Sequence, residues 1–172
     1  MTTSVHFEIA HEFDIPLDAV ELAVLSPSLV EKLTPKLSNI QSVAQREYVF
    51  EGGLLTRTWH YQANVKVPEF AQRYVTPEMC AWEERSVYNL KTHTSEWHIV
   101  PSVKPEWQKY FDAKGTYSLT KLAEGRTLRV VRGELNLNVA YVRQVAERMI
   151  VNEVKKTFEA EAATLRDLAT LT

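Results

Sequence analysis

Apolar and polar residues alternate strictly at the start of the chain. Val5, Phe7, Ile9, His11 and Phe13 share one parity, with His6, Glu8, Ala10 and Glu12 on the other. A period of two predicts a strand whose odd positions face inward. Pro16 then suits the first turn of a helix running through Ala19, Val20, Leu22, Ala23 and Leu25, which Ser26-Pro27 breaks. Ser28 and Glu31 have capping-box spacing, predicting a second short helix that Thr34-Pro35 ends. Strands are expected at Ile40 to Phe50 and Leu54 to Val67 around Glu51-Gly52-Gly53. Ala81 to Leu90 and Thr92 to Pro101 read as another hairpin. Phe111 to Lys121 and Thr127 to Leu137 complete about seven strands, with Ser102 to Tyr110 as a loop and Pro68 to Val75 ambiguous.

The last segment changes period. From about Ala140 to Leu171 no Gly or Pro interrupts. Val142, Val145, Met149, Val154, Phe158, Ala162, Leu165 and Ala169 recur every three to five residues. This predicts a helix roughly 48 Å long at 1.5 Å per residue, too long to stand without an extended surface beside it. The element order is β-αα-β6-α: an α+β fold in which a curved antiparallel sheet of about seven strands grips the C-terminal helix.

Composition narrows the class. The 172 residues suit one domain, 1–172, with 45% apolar and 24% charged residues and a net charge of −2. Lysines and arginines are scattered, so no nucleic-acid partner is expected. No signal-like or membrane-spanning run appears, and Cys80 is alone; the expectation is a cytoplasmic protein without disulfides.

The order of elements resembles the helix-grip fold of the START/Bet v 1-like (SRPBCC) superfamily. The resemblance rests on the Phe7-Glu8-Ile9 strand leading through Pro16 into a short helix. It rests also on Gly115-Thr116-Tyr117-Ser118-Leu119 and Glu124-Gly125-Arg126-Thr127-Leu128 before the long helix. Within that superfamily the chain is similar to the bacterial DUF2505-type family, with Pro68 and Trp82 placed mid-chain, and more loosely to PRELI-type phospholipid-transfer domains. The resemblance implies a cavity between sheet and helix that takes an apolar ligand such as a lipid, sterol or polyketide.

The residues fit that picture independently. Trp59, Tyr61, Trp82, Tyr88, Trp97 and Tyr117 fall at inward strand positions, and Met149 and Phe158 on the apolar helix stripe. The same side chains could simply fill a core. Four polar residues share the inward parity: His11, Arg57, Glu84 and Ser86. Arg57 suits a phosphate or carboxylate head group; alternatively, Arg57 and Glu84 neutralise one another, or bulges turn these residues outward.

Catalytic and metal motifs are absent. There is no H-E-x-x-H, paired-Cys site, G-x-S-x-G or Gly-rich phosphate loop, so neither metal nor cofactor is expected. Trp107, Tyr110 and Phe111 among Lys104 and Lys109 suggest transient contact with a membrane surface, or else a lid folded back on its own aromatics. Three functions remain open. The leading one is binding or transport of a hydrophobic small molecule, such as a lipid, by a monomer or weak dimer. The others are an enzyme of cyclase, dehydratase or hydrolase type using the same cavity, and a ligand-free interaction module.

Overall fold

The computed structural model describes residues 4–64, 69, 80–103, 105–138 and 143–170, the side chains of 107, 143–146 and 149 excepted. Seven strands form one antiparallel sheet in the order β1-β7-β6-β5-β4-β3-β2. They are β1 (Val5–Phe13), β2 (Ile40–Glu51), β3 (Leu54–Ala63), β4 (Ala81–Asn89), β5 (Thr94–Pro101), β6 (Phe111–Ala123) and β7 (Arg126–Leu137). Helices α1 (Leu17–Leu25) and α2 (Leu29–Leu33) separate β1 from β2, and α3 (Pro105–Gln108) precedes β6. The C-terminal helix α4 (Arg143–Ala169) lies against the inner face of the curved sheet, held from behind by α1 and α2. This is the helix-grip arrangement.

Periodicity explains the match. Every strand predicted from alternation is present, with ends shifted by a few residues. Hairpin ends are set by backbone geometry rather than hydrophobicity: Gly52, Gly53 and Gly125 take positive φ, and so does His93 (57°) between β4 and β5. On α4 the predicted stripe is inward, with Phe158, Ala162, Leu165 and Ala169 buried. Val142 and the side chains of Val145 and Met149 lie outside the described residues, as do Val65, Val67, Pro68 and Lys104.

Two local expectations are corrected. Ser28 does not form a capping box: it has helical φ/ψ and its side chain caps nothing, while its N–H donates to Ser26 Oγ at 3.2 Å. A residue already helical cannot turn its hydroxyl back to the N2 or N3 amide. The segment 102–110 is more than a loop, because Pro105 opens the short helix α3. Gln108 Nε2 then donates to the carbonyls of Pro101 (3.3 Å) and Val103 (3.2 Å), folding the connection back on itself.

One cross-strand row shapes the inner face. Phe7 faces Gly133, Gly133 faces Gly115, and Gly115 faces Trp97. The Phe7 and Trp97 rings lie over the glycines with centroids 6.1 Å apart. A Cβ at Gly133 would meet Phe7 Cζ at 2.2 Å, and one at Gly115 would meet Trp97 Cζ2 at 2.4 Å. The missing methyl groups therefore make the space in which the rings lie.

The outer face carries the opposite parity. A single row crosses the whole sheet: His6, Glu134, Lys114, His98, Arg85, Thr58 and Glu47, each opposite the next. Charge pairs tie neighbouring strands together here, including Arg132–Glu8 at 2.7 Å and His98–Asp112 at 3.4 Å. No described helix is long and apolar enough to cross a membrane.

Candidate functional site

Alternation aims one residue in two from each central strand at α4. On β3 these are Leu55, Arg57, Trp59 and Tyr61; on β4, Trp82, Glu84, Ser86 and Tyr88. Register then places them side by side: Trp59 opposite Glu84, Arg57 opposite Ser86, Leu55 opposite Tyr88. Trp97 continues the row from Ser86, and Tyr117 lies opposite Ser95. Phe158 and Glu161 close the space from α4. Together they bound a cavity of about 30 Å³ between sheet and helix, room for about one water molecule. A larger depression of about 910 Å³ lies on the outer face of the sheet, but it is open to solvent and lined largely by the charge pairs described above. The inner cavity is the better candidate, because only there are polar groups enclosed by aromatic walls.

The sequence-predicted residues divide into two groups. Arg57, Trp59, Glu84, Tyr88, Trp97, Tyr117 and Phe158 line the cavity. Tyr61, Trp82 and His11 stand behind it. Tyr61 Oη donates to Glu84 Oε2 at 3.1 Å, and its ring stacks on Trp82 with centroids 5.3 Å apart. His11 Nδ1 accepts from Arg129 Nη2 at 3.1 Å. Among the lining residues, Tyr88 Oη donates to Glu21 Oε2 at 2.6 Å, and the same carboxylate oxygen meets His93 Nδ1. Trp59 Nε1 donates to Gln45 Oε1 and Trp97 Nε1 to the Thr116 carbonyl, both at 3.3 Å. Arg57 Nη1 donates to the Val24 carbonyl at 2.7 Å, and its guanidinium lies 4.5 Å from the Trp59 ring centroid.

Tyr117 differs from the other phenols. It is 6% exposed, and its hydroxyl has no hydrogen-bonded partner of proper geometry among the described residues. The Arg129 guanidinium sits beside the ring, 5.5 Å from its centroid. A guanidinium can only donate, so the Tyr117 O–H proton is left without an acceptor.

Sequence reasoning missed Arg129 and Glu161. Arg129 is fully buried. Its Nη2 donates to the Phe158 carbonyl at 2.7 Å, its Nη1 lies 3.3 Å from Glu161 Oε1, and Phe13, Tyr117 and Phe158 surround it. The signal was available. Arg129 shares the parity of Thr127, Val131 and Leu135, the same argument that found Arg57. Glu161 falls three residues after Phe158 and four before Leu165, within the apolar stripe.

Burial sets the electrostatics. Glu84 is pushed up to about 7, first by burial and then by the charge of Glu161; Arg57 and the Tyr61 hydrogen bond oppose the rise. Tyr117 is pushed up to about 12 by burial. Tyr61 and Tyr88 are also raised by burial, reinforced by their carboxylate partners. His11 falls to about 4 through burial and the positive charges of Arg129 and Arg166, so it is neutral at pH 7. The cavity is thus lined by a carboxyl whose burial favours its protonated form, by the Arg57 guanidinium on the neighbouring strand, and, further along, by the Tyr117 phenol. Among the described residues, no cluster of three His, Cys, Asp or Glu side chains could hold a metal.

Several solved structures share the architecture. ZhuI aromatase/cyclase from Streptomyces sp. R1128 superposes with a TM-score of 0.64 at 14% identity, over 98% of this chain and 94% of that one. Norcoclaurine synthase from Thalictrum flavum, in complex with dopamine and hydroxybenzaldehyde, gives 0.62 at 12% identity, over 98% and 88%. Ara h 8.0201 gives 0.59 at 15% identity, over 95% and 99%. These likenesses establish the fold. No curated protein matches the sequence. The sequence profile of DUF2505, a protein family of unknown function, matches residues 8–168, and the chain belongs to that family.

Proposed function

We propose that the protein binds a small hydrophobic molecule, carrying a ring and a polar end, in the cavity between sheet and α4. The Tyr117 hydroxyl carries this reading. A buried phenol costs free energy when its proton has no acceptor, and this one faces a cavity walled by Trp59, Trp97 and Phe158. A ligand oxygen would satisfy it, while the rings supply apolar and stacking contacts. Norcoclaurine synthase, of the same fold, is seen with two aromatic compounds, which agrees with a ligand of that size.

The lining favours a compact ligand over a long-chain lipid. Arg57, Glu84 and Glu161 all border the cavity, a polar lining to which an acyl chain offers no hydrogen bond. At about 30 Å³ the cavity must widen to admit any ring. Membrane contact, if lipid were the cargo, would use the exposed Lys109–Tyr110 pair beside α3.

Native mass spectrometry of the purified protein, with organic extraction, tests the proposal. A stoichiometric small aromatic or alicyclic compound supports it. For a protein that purifies empty, titration with 2-naphthol followed by tryptophan fluorescence is the direct check, since Trp59 and Trp97 line the cavity. Saturable quenching that weakens about 5- to 10-fold in Tyr117→Phe is expected for one lost hydrogen bond. Equal affinity in both proteins would remove Tyr117 from the site.

A second reading has its own observation. Glu84, Arg57 and Glu161 line one cavity, and ionisable groups gathered in a cleft are a feature of proton-transfer enzymes.

A further inference from the structure

We propose that a ligand reaches the cavity through the seam between α1 and the β2–β3 and β4–β5 hairpins, and that Glu21 is the latch of that seam. This rests on the binding reading above and adds the route of entry. One wall of the cavity has to move, and the walls differ in what movement would break. Lifting α4 off the sheet would bare Phe158, Ala162, Leu165 and Ala169 and pull Glu161 from the buried Arg129 guanidinium. A strand could leave only by giving up its ladder of hydrogen bonds. Helix α1 is held differently. Its buried side chains, Val20, Ala23 and Val24, are small, and it packs on α4, β6 and β7. Toward β2, β3 and β4 it is fastened by hydrogen bonds from long side chains.

Tyr48 Oη donates to the Leu25 carbonyl at 2.5 Å, and Arg57 Nη1 to the Val24 carbonyl at 2.7 Å. Both carbonyls lie in the last turn of α1, where the helix has no donor of its own to offer them. Glu21 Oε2 accepts from Tyr88 Oη at 2.6 Å and meets His93 Nδ1 in the turn after β4. That turn is the fixed side of the seam, because the His93 carbonyl accepts from the Leu119 N–H at 2.9 Å. Behind these bonds is the cavity, whose lining includes Val24, Leu55, Arg57, Tyr88 and Ser95. Polar fastenings of this kind part at small cost, because water replaces each partner as the groups separate. Packed apolar faces have no such substitute.

The ends of α1 suit a tilting element. Pro16 and Ser26 flank it with non-helical backbone, at ψ of 150° and 128°, and the Ile15 carbonyl is held to β7 by Thr127 Oγ1 at 2.8 Å. The helix can therefore swing as a unit about its anchored N-terminal end. The outside of the seam is apolar as well. Leu22 on α1 is 63% exposed and Phe50 on β2 is 50% exposed. Leu22 lies one turn before Leu25, and Phe50 two residues after Tyr48. Val49 and Leu54, also exposed, flank the same hairpin turn. Large apolar side chains left in water on both sides of the seam give a hydrophobic ligand its first contacts.

Stopped-flow tryptophan fluorescence with 2-naphthol measures entry and exit. Glu21 is outside the cavity lining, so Glu21→Ala removes the latch and spares the wall. Both rate constants should rise roughly 10-fold, for the loss of a charge-assisted bond, while Kd stays within about 2-fold. His93→Asn, which suits the left-handed turn, should raise both rates by less, and it carries the test if melting shows Glu21→Ala unfolded. Lys36→Ala is the control: it removes an exposed bond to Asp167 on α4, away from the seam, and should leave the rates as in wild type. The converse experiment closes the seam. In a Cys80→Ser background, Glu21→Cys and His93→Cys are joined by a short bis-methanethiosulfonate and released by dithiothreitol. Uptake should slow at least about 10-fold in the joined form and recover on release. Joined protein that takes up 2-naphthol as fast as the released form overturns the proposed route and leaves binding standing. So do unchanged rates in folded Glu21→Ala, or an equal rise in Lys36→Ala. Wild-type protein that purifies empty and binds no 2-naphthol overturns the binding reading, and the route with it.

Discussion

Arg129 Nη2 donates to the main-chain carbonyl of Phe158 at 2.7 Å, so β7 holds α4 by the backbone of the turn that lines the cavity. The same guanidinium pairs with Glu161 one turn further along and donates a hydrogen bond to His11 Nδ1. Removing Arg129 strands the Glu161 carboxylate among apolar side chains. Arg129→Met should therefore destabilise the fold by about 3–5 kcal/mol, while Arg129→Met with Glu161→Leu should recover most of that loss. Urea unfolding of wild type, both single variants and the double variant measures the coupling. Additive losses would show that the pair does not act as a unit.

Two titrations should oppose each other in the acid range. His11 has its value lowered from 6.5 to about 4. Its neutral form is favoured in the fold, so its contribution is present above pH 6.5 and is lost as pH falls toward 4. Glu84 has its value raised from 4.5 to about 7. Its contribution is present below pH 4.5 and is lost as pH rises through 7. The slopes have opposite sign between 4.5 and 6.5 and partly cancel in the wild type. His11→Gln should leave stability falling with pH across that window, and Glu84→Gln should leave it rising. Melting temperatures at half-unit steps would show it, and parallel profiles for the two variants would refute the assignments.

The glycines under the rings should resist even the smallest side chain. At Gly115 a Cβ would stand 2.0 Å from the Arg132 carbonyl as well as against Trp97. Gly115→Ala and Gly133→Ala are each expected to cost about 1–3 kcal/mol by overpacking. A shift in near-ultraviolet circular dichroism should accompany the change, because Trp97 must move. An unchanged denaturation midpoint would mean that the rings have room to retreat.

Ligand retention should separate wall residues from helix surface. Trp59→Ala and Phe158→Ala remove lining rings, whereas Glu153 is exposed and bonds to Asn39 and Lys156. Probe affinity should fall at least 10-fold in the first two, provided they remain folded, and change less than 2-fold in Glu153→Ala. Equal effects from all three, measured by fluorescence titration, would place the ligand elsewhere.

Strand parity made most of this architecture readable in the sequence, because one buried face imposes a period of two. The same parity identified Arg57 and Glu84 as inward. It failed for Arg129 only because an arginine among Thr127, Val131 and Leu135 reads as an exposed interruption. What makes that residue tolerable in the core is Glu161, a residue 32 positions later on another element. Such a pairing has no periodicity to reveal it. Volume is equally hidden. The aromatic positions were identified, but whether they enclose space depends on how rings, glycines and helix interlock, and no single-residue pattern encodes that. Ser28 shows the local counterpart: the spacing was right for a cap, and the backbone angle was not.

The row of charged and polar residues across the outer face has a consequence for how the chain reaches this state. Each hairpin could in principle zip up one residue out of step. In β4 and β5 such a slip would turn Trp97 and Tyr88 to water and drive Arg85 and His98 against α4. The outer row thus penalises a slipped register, because misaligned strands would bury charge once the helix docks. Replacing that row with threonines would leave the native contacts of the cavity untouched and would cost the chain its fidelity in folding.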